Sequence, residues 1–181
     1  MMVIKSYMDE VKILQSGSYY MTPFHPNHIL EMLPILHKET EKELLNLGYS
    51  STLEALLDLQ KDSEVYTVRN KSWDIMMVSG IFYSEDPPQL FALFTKHITK
   101  NFKGLARGSK LLISFLDQSY DELSMQIRDE YISMLNWAVW LGFHPVGFTK
   151  EKNIRYVDFV RCNPKKNYVS DKVSMPVIHS N

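Results

Sequence analysis

Apolar side chains along this chain switch between a period of two and a period near three and a half, and the switches lay out its elements. Val11 to Tyr20 is rich in β-formers but broken by Ser16-Gly17-Ser18, which predicts an opening strand with a bulge or turn. The breaker cluster Thr22 to Asn27 follows, with Asn27 as N-cap of a helix. Ile29, Leu30, Leu33, Leu36, Leu44 and Leu47 predict that helix over 28–47, with Glu39, Glu41, Lys42 and Glu43 on its wet face and Gly48 at its end. Ser51-Thr52-Leu53-Glu54 fits a capping box for a second helix with Leu53, Leu56 and Leu57 on one face.

Beyond Ser63 the period shortens. Glu64 to Arg69, Trp73 to Tyr83 and Gln89 to Thr95 read as consecutive antiparallel strands, joined by the turns Asn70-Lys71-Ser72 and Glu85-Asp86-Pro87-Pro88. Gly80, inside the second of these, marks a close backbone approach. The stretch 104–123 reads as a loop followed by a helix, with Leu111, Leu112, Phe115, Leu116 and Tyr120 on one face. A short strand, Leu123 to Ile127, leads to a helix capped by Asp129 and ended by Gly142, with Trp137 and Trp140 as core. Val146 to Lys150 and Ile154 to Arg161 form a last strand pair. This order predicts an α/β (α+β) fold with a mixed, mostly antiparallel central sheet of about six to seven strands flanked by about four helices.

Composition narrows the picture. A chain of 181 residues, 45% hydrophobic and 23% charged, suits one globular domain, here 1–162, and the weakly patterned 163–181 reads as an extended tail. A net charge of −1 gives no overall electrostatic case for nucleic acid or an anionic membrane. The single Cys162 fits a reducing compartment, and among six His residues only His25 and His28 are close in sequence, so no metal site is expected. Apolar runs such as Ile75 to Val78 and Trp137 to Phe143 are far shorter than the roughly 20 residues that cross a bilayer. A soluble, cytoplasmic protein is the expectation.

The segment with most chemical content is strand Gln89–Thr95 followed by Lys103-Gly104-Leu105-Ala106-Arg107-Gly108-Ser109-Lys110-Leu111-Leu112. A glycine-bearing loop that opens a helix turns free N–H groups and the positive end of the dipole toward an anion. Lys96, Lys100, Lys103, Arg107 and Lys110 add positive charge. This stretch resembles the acetyl-CoA pyrophosphate loop of the GNAT superfamily of N-acetyltransferases, whose pattern is Arg/Gln-x-x-Gly-x-Gly/Ala. Read from Lys103 the match is Lys103, Ala106 and Gly108; read from Asn101 it is Asn101, Gly104 and Ala106. Both registers depart at the first position, and the first also at Ala106. The helix ending Leu141-Gly142-Phe143 before a strand resembles the same family, and the order of elements agrees from about residue 11 to 161.

The resemblance implies acetyl-CoA as cofactor and a primary amine as acceptor. It places Lys103, Gly104, Ala106, Arg107, Gly108 and Ser109 at the pyrophosphate, and the backbone of Phe94 and Thr95 along the pantetheine arm. Departures are specific. Ala138 stands where many members have a tyrosine acid, and strand Gln89–Thr95 carries no carboxylate base. Replacements for proton transfer are Glu85 and Asp86 in the loop before that strand, His97 just after it, and Tyr131 at the start of the helix capped by Asp129. The arrangement is also similar to GNAT-like internal virion and head-assembly proteins of T7-like bacteriophages. That similarity implies a non-catalytic alternative, with Val169, Val173, Met175, Val177 and Ile178 of the tail docking on a protein partner.

Overall fold

The structure, a computed structural model, describes residues 13–83, 85–100 and 102–165, with 99, 100 and 102–105 described by backbone alone. The opening segment is a hairpin rather than one strand. Gly17 takes φ 58° between β1 (Leu14–Ser16) and β2 (Tyr19–Pro23). The long helix expected over 28–47 is broken in two. α1 (Pro26–Met32) runs into a 3-10 turn at Leu33–Ile35, and α2 (Lys38–Asn46) starts only after Leu36 and His37 have turned extended. Pro34 is the physical reason, because it has no N–H for the helical ladder and crowds the preceding turn. The cap of α1 is His25, not Asn27: its ring accepts from the Asn27 N–H, and Pro26 fills the first helical position.

α3 (Thr52–Asp58) is capped by Ser51 as expected, whose hydroxyl accepts from the Glu54 N–H at 3.2 Å. The Glu54 carboxylate returns to the Ser50 N–H (3.0 Å), one residue earlier than a capping box requires. β3 (Ser63–Arg69), β4 (Ile75–Phe82) and β5 (Gln89–Phe94) are the antiparallel meander that the alternation predicted. After a 3-10 turn at Lys96–Lys100, α4 spans Phe102–Leu116. β6 (Glu122–Arg128), α5 (Ile132–Trp140), β7 (His144–Glu151) and β8 (Ile154–Cys162) complete the chain. Asp129 does not cap α5, whose N-cap is Tyr131.

Among the described residues the sheet therefore has eight strands, in the order β1-β2-β3-β4-β5-β6-β8-β7, with five α-helices rather than about four. All neighbours are antiparallel except β5 and β6. Alternation along the strands feeds two apolar layers. One face packs Met21, Tyr66, Val68, Met77 and Ile81 under α4 and α5. The other packs Ile75, Val78 and Leu93 under Ile29 and Met32 of α1, Leu44 of α2 and Leu56 of α3. At the far end, a buried pair of Arg161 and Asp117 joins β8 to the end of α4, and Arg161 Nε donates to the Leu141 carbonyl at 3.1 Å. The first tail residue is tied in as well: the Asn163 side chain donates to the Asp117 carbonyl and its N–H to Asp121. Residues 166–181, with the proposed docking residues of the tail, lie outside the described part.

Gly80 sits where the sequence marked a close approach. A Cβ there would collide with the Glu64 carbonyl oxygen and stand 2.8 Å from the Phe91 ring. Backbone oxygen and a packed ring cannot both yield, so Gly80→Ala is expected to destabilise the fold by about 2 kcal/mol. Urea unfolding checks this, and an unchanged midpoint would mean that the strands separate at no cost.

Candidate functional site

The parallel neighbours β5 and β6 touch at one register pair only, Gln89 with Ser124. The Ser124 N–H donates to the Pro88 carbonyl and its hydroxyl to Pro87, both at 2.9 Å, pinning the strands at this end. From there β5 runs on to Phe94 and β6 to Arg128 without another pair. The sheet thus opens as a wedge toward the C-terminal ends of both strands, where open α/β sheets commonly place ligands.

Hydrogen-bond phase fixes which backbone groups face the wedge. The Thr95 N–H donates to Met76 on the β4 side at 3.2 Å, so by alternation the polar groups of Leu90, Ala92 and Phe94 point toward β6. At Phe94 the chain itself occupies that edge. Leu36 forms an antiparallel bridge with Thr95, and the His37 N–H donates to the Phe94 carbonyl at 2.9 Å. The Phe94 N–H donates to the buried Thr40 hydroxyl at 3.3 Å. The Thr95 hydroxyl, fully buried, donates back to the Ile75 carbonyl at 2.7 Å.

The opposite wall is held by the same helix through side chains. Arg128, at the end of β6, bonds Glu43 of α2 at 3.0 Å and Glu130 at 2.9 Å. The Tyr131 hydroxyl donates to Glu39 at 2.8 Å, and the Tyr156 hydroxyl of β8 donates to Glu43 at 3.0 Å. Burial, with the hydrogen bond to Glu39 adding, pushes the Tyr131 phenol up to about 12; burial and the bond to Glu43 do the same for Tyr156. Both phenols therefore keep their protons through neutral pH. Glu39 and Glu43, read from the sequence as wet-face residues, are two of the three carboxylates of this cluster, with Glu39 exposed and Glu130 the third. No sequence signal joins them to Arg128 or Tyr156, which lie 85 and 113 residues further on from Glu43.

The remaining expected site residues are scattered. Glu85 is exposed in the loop before β5, roughly 20 Å of strand from Thr95 at about 3.3 Å per residue, so it is not brought together with Tyr131. His97 is half-buried in the 3-10 turn just past Thr95, at the same end of β5 as the wedge. The expected loop Lys103–Ser109 is helical throughout, because α4 begins at Phe102. Lys103 and Gly104 belong to its first turn, and their side chains lie outside the described part. Ala106 is half-buried and Arg107 exposed.

Gly108 and Ser109 are buried and serve packing. A Cβ on Gly108 would stand 2.9 Å from Val68, and the Ser109 hydroxyl accepts from Trp137 Nε1 at 3.2 Å. Trp137 also sets its ring edge-on to Phe94, with centroids 5.9 Å apart, so it fills the space between α4, α5 and β5. Trp140, expected in the core, is half exposed, with Lys110 Nζ 4.4 Å from its ring centroid. A separate open hollow of about 500 Å3, lined by Tyr49, Leu57, Asp58 and Lys61, lies at the other end of α2 from Thr40. Among the described residues no cluster of His, Cys, Asp and Glu could hold a metal ion, and no helix is long and apolar enough to cross a membrane.

These phenols make an alkaline transition readable. Their unfolded value is near 10 and their folded value about 12, so the stability they contribute is complete below about pH 10 and is lost as pH rises toward 12. Tyrosinate absorbance should show steps near 12, and Tyr156→Phe should remove one of them. A Tyr156 step at the ordinary value of 10 would mean that the Glu43 contact is not held in solution.

No family model and no curated protein sequence matches this chain. Solved structures do. A GNAT-family acetyltransferase from Bacillus anthracis superposes with a TM-score of 0.63 at 8% identity, covering 83% of this chain and 98% of that one. The ribosomal-protein-S5-alanine acetyltransferase from Vibrio fischeri gives 0.59 at 13% identity, covering 86% and 98%. The ribosomal-protein-S18-alanine N-acetyltransferase from Escherichia coli gives 0.60 at 8% identity, covering 80% and 94%. At such identities the likeness establishes the fold: a mixed α/β architecture like that of GNAT acetyltransferases.

Proposed function

We propose that this chain is an acetyl-CoA-dependent N-acetyltransferase acting on a primary amine, by direct transfer while donor and acceptor are both bound. The observation that carries this reading is the wedge between β5 and β6, with an acid–phenol cluster at its mouth. Amine acetylation asks a protein for a group that takes a proton from the incoming ammonium and for one that returns a proton to the departing sulfur. His97, at the same end of β5 as the wedge, carries the first role. Tyr131, which keeps its proton through neutral pH, carries the second. Lys103, Gly104 and Arg107 of the first turns of α4 would face the donor's phosphates, where free N–H groups and positive charge favour an anion.

Residues and donor do not fit everywhere. The backbone N–H and C=O of Phe94, which the donor's amide-bearing arm would use, are already bonded to Thr40 and His37. Gly108 and Ser109 are packed inside the fold. The same observation favours a second reading, a GNAT-shaped protein without catalysis, such as a phage virion, head-assembly or host-interaction protein. Ala138 in place of a proton donor agrees with it.

The two readings separate in one assay. With acetyl-CoA and a panel of spermidine and alanyl peptides, the enzyme reading expects thiol release above buffer. Tyr131→Phe should then lower kcat by about 100-fold with KM little changed. Thiol release at the buffer rate with every amine would sink the enzyme reading in favour of the scaffold.

A further inference from the structure

The segment that occupies the edge of β5 at Phe94 consists of α2 and the residues leading into it. α2 is a short rod between two non-helical joints. At its start Leu36 and His37 are extended, with φ,ψ of −59°,143° and −71°,137°. At its end Gly48 takes φ 103°, a conformation open to glycine at little cost. Between these joints α2 reaches both walls of the wedge. Leu36, His37 and Thr40 hold β5, while Glu39 and Glu43 hold Tyr131, Arg128 and Tyr156.

The ties have a revealing character. On the β5 side they are strand-like: an N–H donating to the Phe94 carbonyl, and a hydroxyl accepting from the Phe94 N–H. An extended ligand with an amide group would make the same pair of bonds. One N–H can serve only one strong acceptor at a time, so the segment and such a ligand exclude each other. The Thr40 bond is long at 3.3 Å, while the His37 bond has an ordinary length of 2.9 Å, so the Thr40 contact is the one that costs least to break. The apolar anchor of α2, Leu44, lies near its far end, where it can act as a pivot.

We propose that Leu36–Thr40 is an internal occupant of the acyl-donor groove: a latch on the edge of β5 that must withdraw before acetyl-CoA binds. This inference rests on the acetyltransferase reading. Latching lowers apparent affinity by the fraction of molecules in which the edge is free. A change that loosens the latch without touching the groove therefore tightens donor binding, the reverse of what removing a binding group does.

The test uses the full chain, acetyl-CoA as probe, calorimetry for affinity, and amide hydrogen exchange at His37 as an independent report on the latch. Thr40→Val keeps the volume and loses the hydroxyl, while Thr40→Ser keeps the hydroxyl. The latch expects Thr40→Val to bind acetyl-CoA roughly three- to tenfold more tightly than the wild type. Thr40→Ser should bind like the wild type, and the His37 amide should lose protection when acetyl-CoA saturates. Equal or weaker binding by Thr40→Val, with the His37 amide still protected in the complex, overturns the latch and leaves the transferase reading standing. If His37 exchanges faster in Thr40→Val and neither protein binds acetyl-CoA, the edge is free and no donor site exists, so the transferase reading falls and the latch with it. Glu43→Gln, which loosens α2 from the β6 wall, gives the same discrimination should Thr40→Val fail to fold.

Discussion

A sheet that opens between two neighbouring strands leaves backbone donors and acceptors facing each other across a gap. Leaving such groups buried and unpaired costs about as much as a lost hydrogen bond at each. In this chain α2 and its lead-in resolve that problem. β5 and β6 share one pair, and beyond it the Leu36–Thr40 segment supplies the partners that Phe94 would otherwise lack. The other wall is closed by charge and phenol rather than by backbone, through Glu43 to Arg128 and Tyr156 and through Glu39 to Tyr131. Trp137, seated between Phe94 and Ser109, fills the opening from the α4–α5 side. Two halves of a sheet that barely touch are thereby made one body.

This arrangement bears on function in two directions. An opening at the C-terminal ends of β5 and β6 is where the proposed transferase would admit its ligand. Yet the groups that would receive the ligand are taken, and a helix runs where a loop was expected. A latch reconciles the two, because it treats the bonds to Phe94 as placeholders. A permanent scaffold would treat them as the final structure.

Much of the fold was legible in the sequence because it depends on local rules. Alternation from Glu64 to Thr95 announced the meander, Ser51 announced the cap of α3, and Gly80 announced the close approach of β4 to its neighbours. Misreadings came where one residue type serves two purposes. Gly104 and Gly108 read as loop residues, yet both lie within α4, and Gly108 lets that helix approach Val68. Apolar spacing continues in phase on either side of Pro34, so periodicity alone spans the break that this residue makes. The candidate site was hardly legible: Tyr131 reads from the sequence as one proton-transfer candidate among several, and its hydrogen-bond partner Glu39 is 92 residues away on a face that is indeed exposed. Pairings of that range are decided by the packing of α2, which no local pattern encodes.

The central claim is that the chain's own His37, rather than β6, pairs with β5 at Phe94. Scalar coupling through the hydrogen bond, measured by NMR on isotope-labelled protein, tests this most directly. The account expects a coupling from the His37 amide nitrogen to the Phe94 carbonyl carbon. A coupling from that carbonyl to an amide of β6 instead would mean a closed sheet, with no wedge to latch.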